Sequence, residues 1–317
     1  MTAKLLERMA LLLSDGPDPR RPWLEEPAER LQGSVIALFE RAGESGIRLK
    51  DALHGTWFGH ALHPALILAP AGSWLTAAVL DLVGDDDGAR TAVGFGILTA
   101  LPAAASGLAD WGYTEGRSRR LGLAHAALNS LALSLYTLSW LARKNGHRGL
   151  GVLLSTKGLL TMTVSAYLGG EISYGLGYGV NRNAWSPDVA DLGEELDDFR
   201  PVAQLDDLRE ARLSAAELDL GESKIPLVLM RRGNEVLALN GTCSHLGAPL
   251  AEGQLVDEWC VECPWHGSRF DFRDGEVVRG PAAYPQPKFE TRVRDGKVEA
   301  RVARPSGDVM EQILTST

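Results

Sequence analysis

The 317-residue chain is poor in cysteine and has no surplus of positive charge. Three cysteines cannot build the cross-linked framework of a small secreted protein. With 32 Lys and Arg against 41 Asp and Glu, the net charge of −9 argues against a nucleic-acid partner, which needs a basic patch. A cleavable secretory signal is not expected. The first apolar patch, Leu11 to Leu13, follows Glu7 and Arg8 and is too short for a signal core. Charge of either sign is scarce over a long central stretch: residues 54–170 hold eight basic and six acidic side chains. Residues 181–317 hold 16 and 25, so the whole net charge lies in the C-terminal part. Two parts built for different solvents are joined in one chain.

In the charge-poor part four apolar runs stand out: Pro64 to Leu80, Thr91 to Ala109, Leu121 to Ala142 and Gly149 to Gly170. A helix crossing the hydrocarbon layer needs about 20 such residues. Short polar links separate the runs, which predicts an all-α four-helix transmembrane bundle over residues 54–180. The first run is the weakest, because it contains Pro64, Pro70 and Gly72. A soluble Ala-rich bundle would instead show a charged face, which these runs lack. Residues 1–53 read as an amphipathic helical segment. Its Leu31, Val35, Leu38 and Phe39 recur at helical spacing and are expected to pack on the bundle, with the membrane interface as the other choice. Asp81 and Asp110 fall at helix ends, where a carboxylate caps. Arg48, Lys50, Arg117, Arg119, Arg120 and Arg182 flank one side of a four-span topology, against Arg90, Arg143, Lys144 and Arg148 on the other. By the positive-inside rule both ends of the chain then lie in the cytoplasm, and the protein is a multi-pass protein of the cell membrane in contact with lipid.

After a linker over 181–200 the hydrophobic period changes. Ile225 to Met230 and Glu235 to Leu239 are short β-rich runs with a hairpin signal between them, and further short runs follow to Val302. This predicts an all-β domain over 201–305, followed by a tail at 306–317. Inside it stand Cys243-Ser-His245 and Cys263-Pro-Trp-His266. Zinc is the generic occupant of two cysteines and two histidines. Zinc fingers usually set Cys beside Cys and His beside His, whereas each box here holds one of each. That arrangement suits a two-iron cluster with both cysteines on one iron and both histidines on the other.

The flanks extend the match. Cys243-Ser-His-Leu-Gly-Ala-Pro-Leu250 and Cys263-Pro-Trp-His-Gly-Ser-Arg-Phe-Asp271 resemble the two cluster-binding loops of the Rieske [2Fe-2S] family, and Gly280-Pro-Ala282 resembles its third loop. The resemblance implies that Cys243 and Cys263 bind one iron and His245 and His266 the other, with electrons passing at the imidazole edges. Ala248 and Trp265 stand where high-potential relatives carry an extra disulfide, which places the chain with the ferredoxin-like branch. Ser268 is positioned to donate to a bridging sulfur, but Phe270 stands where high-potential relatives have a tyrosine. One donor fewer implies a potential in the lower part of the Rieske range of about −150 to +300 mV. Cys260 reads as a buried small hydrophobe.

The seven histidines are His54, His60, His63, His125, His147, His245 and His266. None follows His266, so the two-His-one-carboxylate iron of a terminal Rieske oxygenase has no downstream ligands. The stretch from His54 through His63-Pro64, with Asp81, Asp110 and Gly169-Gly-Glu171, resembles a family of small four-helix membrane domains of unknown function. His63 and His125 fall near the same side of the expected topology, which makes them candidates to bind a haem b. The chain therefore reads as a membrane-anchored Rieske [2Fe-2S] protein that carries single electrons between a redox partner and an acceptor, with a quinone or a haem as the candidate acceptors and a redox protein or quinone as the partner. The alternative is a redox-sensing or accessory subunit of a membrane oxidoreductase complex.

Overall fold

The structure is a computed structural model that describes residues 22–184, 198–221 and 223–302. The expected C-terminal tail, and most of the linker, lie outside the described residues. The chain divides into two compact units, Met1–Gly179 and Val180–Thr317.

The first unit is helical. Helices α1 (Pro22–Arg41) and α2 (Gly43–His54) come first. A short turn at His63–Leu66 leads into α3 (Leu68–Val83), then α4 (Asp86–Trp111), α5 (Gly116–Lys144) and α6 (Arg148–Gly170). Four helical stretches are long and apolar enough to cross a membrane: His63–Val83, Asp86–Trp111, Gly116–Lys144 and Arg148–Gly175. The prolines that weaken the first run are accommodated at its start. Pro64 and Pro70 each fall in the first turn of a helical segment, where a missing N–H costs nothing. The stop between α3 and α4 is written locally: Gly84 takes the left-handed conformation at φ 83°, and the Asp85 carboxylate accepts the Gly88 N–H at 2.9 Å.

These helices are inside-out relative to a soluble bundle. Large apolar side chains face outward, Leu82 being 87% and Leu68 72% exposed, while Ala77, Ala89, Ala103, Ser139, Ser155 and Ser165 are buried. Small residues at the seam let backbones approach, which is how helices pack where lipid removes the hydrophobic drive between them. Trp74 stacks on Tyr136 in the interior, at 4.1 Å between ring centroids and 9° between planes. The ring of Trp74 lies on Gly96, where a Cβ would come within 2.3 Å of the indole nitrogen.

Asp81 does not cap its helix. Its carboxylate takes both ends of the Arg143 guanidinium at 2.6 and 2.7 Å, with both side chains almost wholly buried. Asp110 likewise accepts from His54 Nδ1 at 2.8 Å. Helix α1 also departs from the expectation. Leu31 and Leu38 are exposed, and the buried positions are Ala28 and Gln32, whose amide donates to the Trp111 and Thr114 carbonyls. Glu25 adds ion pairs to Arg119 and Arg120. Polar contacts thus add to the packing of α1 on the bundle, and its apolar stripe is split, with Leu31 and Leu38 exposed and Val35 and Phe39 half-buried.

The second unit is all-β. A six-stranded antiparallel sheet has the order β1 (Arg200–Gln204), β10 (Lys297–Val302), β9 (Lys288–Arg294), β4 (Glu235–Asn240), β3 (Lys224–Arg232), β2 (Leu213–Asp219). Inserted in the chain between β4 and β9 is a four-stranded sheet, β5 (Gln254–Val256), β6 (Cys260–Glu262), β7 (Arg269–Asp271), β8 (Val277–Arg279). Strand β2, Leu-Ser-Ala-Ala-Glu-Leu-Asp, carries no strand signal; its register with β3, from Leu213 opposite Met230 to Asp219 opposite Lys224, makes it one. Two apolar cores result. One lies on the large sheet around Leu227, Leu229 and Phe289, and the other on the small sheet around Val261, Phe270 and Phe272.

Candidate metal centre

The two Cys-His boxes sit in two loops of the same design. In the first, between β4 and β5, the Cys243 N–H donates to the Ala248 carbonyl at 2.8 Å and the Gly247 N–H returns to the Cys243 carbonyl at 2.9 Å. In the second, between β6 and β7, the Cys263 N–H donates to Ser268 at 2.8 Å and the Gly267 N–H returns to Cys263 at 3.1 Å. Closing so tight a loop needs a left-handed residue four positions after each cysteine, and glycine supplies it, at φ 87° and 73°.

This turn points backbone donors at sulfur. The N–H groups of His245 and Leu246 reach the Cys243 sulfur, and those of Trp265 and His266 reach the Cys263 sulfur. Both cysteines are buried, and they hydrogen-bond to one another. That contact pulls the Cys263 thiol below its usual range and pushes Cys243 far above, with burial as the second cause for Cys243. The first thiolate forms readily; a second beside it needs a cation to offset the repulsion. The two imidazoles form a separate pair, with ring centroids 5.1 Å apart and planes at 87°. His245 is 8% exposed and His266 half-buried.

The four predicted ligands therefore form two pairs, sulfur with sulfur and imidazole with imidazole. Among the described residues no group of three or more His, Cys, Asp or Glu could hold a metal ion. A tetrahedral zinc site requires four ligands converging on one point. A two-iron cluster requires two sulfur ligands on one side and two imidazoles on the other, with donors to the sulfurs, and the residues present fit that group.

A third loop, after β8, closes over the first two, and its Gly280–Pro281 peptide is cis. The Ala282 N–H donates to Ser268 Oγ at 3.0 Å, which occupies a lone pair of the hydroxyl and leaves its proton to be donated elsewhere. Gln286, which the sequence reading missed, joins the loops. Its Nε2 donates to the Asn240 and Thr242 carbonyls at 3.0 and 2.8 Å, and its Oε1 accepts from the Ser244 N–H at 3.0 Å and from Asn183 Nδ2 at 2.8 Å. The flanking Pro285 and Pro287 signal a stiff loop, but nothing local says what an amide there would hold. Residues 181–184, expected as linker, pack here too: the Arg182 N–H donates to the Ser244 carbonyl at 3.0 Å. Phe270 is fully buried beneath the loops, and Cys260 is buried on β6. Trp265 is 57% exposed, beside the His266 ring.

In the helical unit, His63 Nδ1 donates to the Ala103 carbonyl and His125 Nδ1 to the Ser165 carbonyl, each at 2.8 Å, and the two rings stand 6.5 Å apart. His60 and His54 are engaged elsewhere, with the Ala61 carbonyl and with Asp110.

Comparison with known proteins agrees with this division. Residues 198–290 match the Rieske [2Fe-2S] domain, and residues 59–182 match a family described as a predicted membrane protein, DUF2231. The anthranilate 1,2-dioxygenase ferredoxin subunit of Burkholderia cepacia is 33% identical over 107 residues, which is 34% of this chain and 94% of that protein. Apoptosis-inducing factor 3 of Mus musculus is 31% identical over 103 residues, 32% of this chain but only 16% of that protein. Among solved structures, the ferredoxin of carbazole 1,9a-dioxygenase from Nocardioides aromaticivorans is 28% identical, covering 33% of this chain and 98% of its own, with a TM-score of 0.30. Through its β unit the chain belongs to the Rieske [2Fe-2S] family, joined here to a membrane domain of the DUF2231 family.

Proposed function

We propose that the protein is a membrane-anchored carrier of single electrons, in which Cys243 and Cys263 hold one iron of a [2Fe-2S] cluster and His245 and His266 hold the other. The observation that carries this reading is the segregation of the donor set: two buried sulfurs ringed by backbone N–H groups, and two imidazoles paired with each other, His266 half-buried and His245 almost wholly buried. When bound, such a cluster supplies a one-electron couple centred on the histidine-held iron. The backbone donors of residues 245, 246, 265 and 266 stabilise charge on sulfur, and Gln286 holds the first loop in place beneath it. Electrons enter and leave at the His245 and His266 edge, and the exposed Trp265 ring beside it gives a redox partner an apolar anchor. The acidic balance of residues 181–317 selects a partner surface that is basic. The similar ferredoxin components act beside dioxygenases by name; for this chain the acceptor is a quinone or a haem in the membrane. The flanking Arg and Lys residues support a cytoplasmic β unit.

The test is the full chain purified in detergent. Chemical analysis is expected to give two irons and two sulfides per chain, with the reduced-state EPR signal of a histidine-ligated cluster. Cys263→Ala or His266→Ala abolishes that signal. One zinc per chain, with no EPR signal after reduction, would overturn the reading.

A further inference from the structure

The four spans are one two-helix hairpin used twice. Asp81 pairs with Arg143 and Asp86 with Arg148, and in both pairs the partners are 62 residues apart. The same offset carries Trp74 onto Tyr136, which it stacks against, and His63 onto His125, which it faces. Contacts within each hairpin repeat as well. Trp74 lies on Gly96 as Tyr136 lies on Gly158, and His63 lies on Gly107 as His125 lies on Gly169. The buried positions coincide too: Ala77 with Ser139, Ala89 with Gly151, Val93 with Ser155, Ala103 with Ser165. When equivalent residues of two copies touch each other, a twofold axis passes between them. Spans one and three run the same way, so the axis lies along the membrane normal, as in parallel repeats of transporters.

Most aligned positions differ between the halves. The tryptophan has become tyrosine, and aspartate has become arginine. Among the residues kept are the turn glycines Gly84 and Gly146, the contact glycines of both ring cradles, and the histidines themselves. Glycine at these places answers to packing. The histidines are retained with their cradles, each ring on its glycine and bonded to a carbonyl of a neighbouring helix, and the two meet on the axis.

The two imidazoles are held alike. A carbonyl only accepts, so Nδ1 carries the proton in each ring, toward Ala103 in one and Ser165 in the other. Nε2 is then the acceptor nitrogen of each ring, the one a metal would take, and a proton held on Nδ1 by a carbonyl is the second-sphere arrangement typical of metal-binding histidines. On His125 that nitrogen accepts from Asn129 Nδ2 at 2.9 Å, an exposed side chain one turn along the same helix. Ser165 Oγ lies 3.0 Å from His125 Nδ1, and Ser106 Oγ lies 3.3 Å from His63 Nδ1. No further His, Cys, Asp or Glu completes a metal group among the described residues. A bare zinc or iron ion held by two imidazoles in apolar surroundings would lack half its ligands. A metal that brings its own equatorial nitrogens lacks only two.

We propose that His63 and His125 are the paired axial ligands of a haem bound on the internal twofold axis of the membrane unit. The site is independent of the β unit's metal centre, and it gives the bundle a one-electron centre of its own.

The experiment is titration of the detergent-purified full chain with haemin, read by the Soret band and by low-spin ferric EPR. Saturation at one haem per chain is expected, with a low-spin bis-imidazole spectrum. His63→Ala and His125→Ala should each weaken binding at least about tenfold. The paired variants His63→Met and His125→Met keep an apolar side chain in place and should shift the spectrum rather than abolish it. His60→Ala and His147→Ala serve as controls and should bind as the unaltered chain does. Far-ultraviolet circular dichroism and thermal unfolding in detergent report that the helical unit of each variant is folded. Absence of saturable binding, or haem bound equally well by His63→Ala and His125→Ala chains, would overturn the proposal. A Soret band without a cluster signal would instead remove the function proposed above and leave this site standing.

Discussion

The Ser244 amide donates to Gln286 Oε1 at 3.0 Å, so a residue of the third loop fixes the backbone between the first cysteine and the first histidine. Gln286 is 2% exposed and serves four partners. Replacing it by Leu takes the acceptor from the Ser244 N–H and one donor each from the Asn240 and Thr242 carbonyls, so polar groups that Gln286 satisfies lose that bond. Each such group costs about 1–3 kcal/mol, of which local relaxation recovers part. Gln286→Leu is expected to lower the stability of the β unit by roughly 2–4 kcal/mol and to speed loss of the cluster to an iron chelator, followed by bleaching of its visible absorption. Unchanged bleaching kinetics would show that the loop is held by other contacts.

Ser268 is fully buried, with its hydroxyl anchored by Ala282 and its proton available to sulfur. One hydrogen bond of this kind is worth about 0.5–1.5 kcal/mol, which for one electron is roughly 20–60 mV. Ser268→Ala is expected to lower the midpoint potential by that amount in a redox titration monitored by EPR. A rise in potential would place the donated proton elsewhere.

Asp81 and Arg143 form a buried ion pair inside the membrane unit. Removing one partner strands the other charge and is expected to cost about 3–5 kcal/mol, whereas removing both strands neither. Thermal unfolding in detergent should show Asp81→Leu and Arg143→Leu each strongly destabilised. The Asp81→Leu, Arg143→Leu double variant should recover most of the loss. A double variant as unstable as the sum of the two singles would mean that the pair has no coupling.

Asp271 sits at the end of β7, and the Arg273 guanidinium beside it holds its carboxyl below the ordinary range, with the Arg273 N–H adding a further donor against the opposing effect of burial. A carboxyl depressed in the folded state contributes stability above its unfolded value near 3.9 and loses it as pH falls through the folded value. Asp271→Asn should therefore differ from the unaltered chain at neutral pH, and the two denaturation curves should converge below about pH 4. Divergence on acidification would reverse the sign assigned to this pair.

Trp265 carries an exposed indole next to His266. If a partner docks over it, Trp265→Ala should weaken the complex by about 2 kcal/mol or more, roughly thirtyfold, while leaving the potential and EPR signal unchanged. Stopped-flow reduction by a purified ferredoxin reductase at varied concentration separates the two effects.

The site was more legible than the architecture around it. Cys243, His245, Cys263 and His266 announce themselves as candidate ligands because ligand chemistry is written in residue type and short spacing, and the structure pairs the two cysteines and pairs the two histidines. The loops' glycines were equally readable, since only a left-handed residue closes so tight a turn. Gln286 was not. Its partners lie up to 103 residues away, at Asn183, and an amide between two prolines has no local signature. Strand β2 was illegible for a related reason: Ala and Glu carry no strand preference, and pairing with β3 overrides them. In α1 the expected packing is met only in part: Val35 and Phe39 are half-buried while Leu31 and Leu38 are exposed, and Glu25 and Gln32, which look like surface residues, supply contacts as well.

What the sequence by itself determined is the division into a charge-poor helical half and a charged β half, together with the donor set proposed for the metal centre. Hydropathy, helix length and ligand spacing are local, and they act before any distant contact forms. The tertiary structure decided that the sulfurs and imidazoles segregate, and that Asp81 meets Arg143 rather than capping its helix. It also decided that His63 faces His125 on an axis relating two hairpins. Those are relations between residues far apart in the chain, and packing alone brings them into contact.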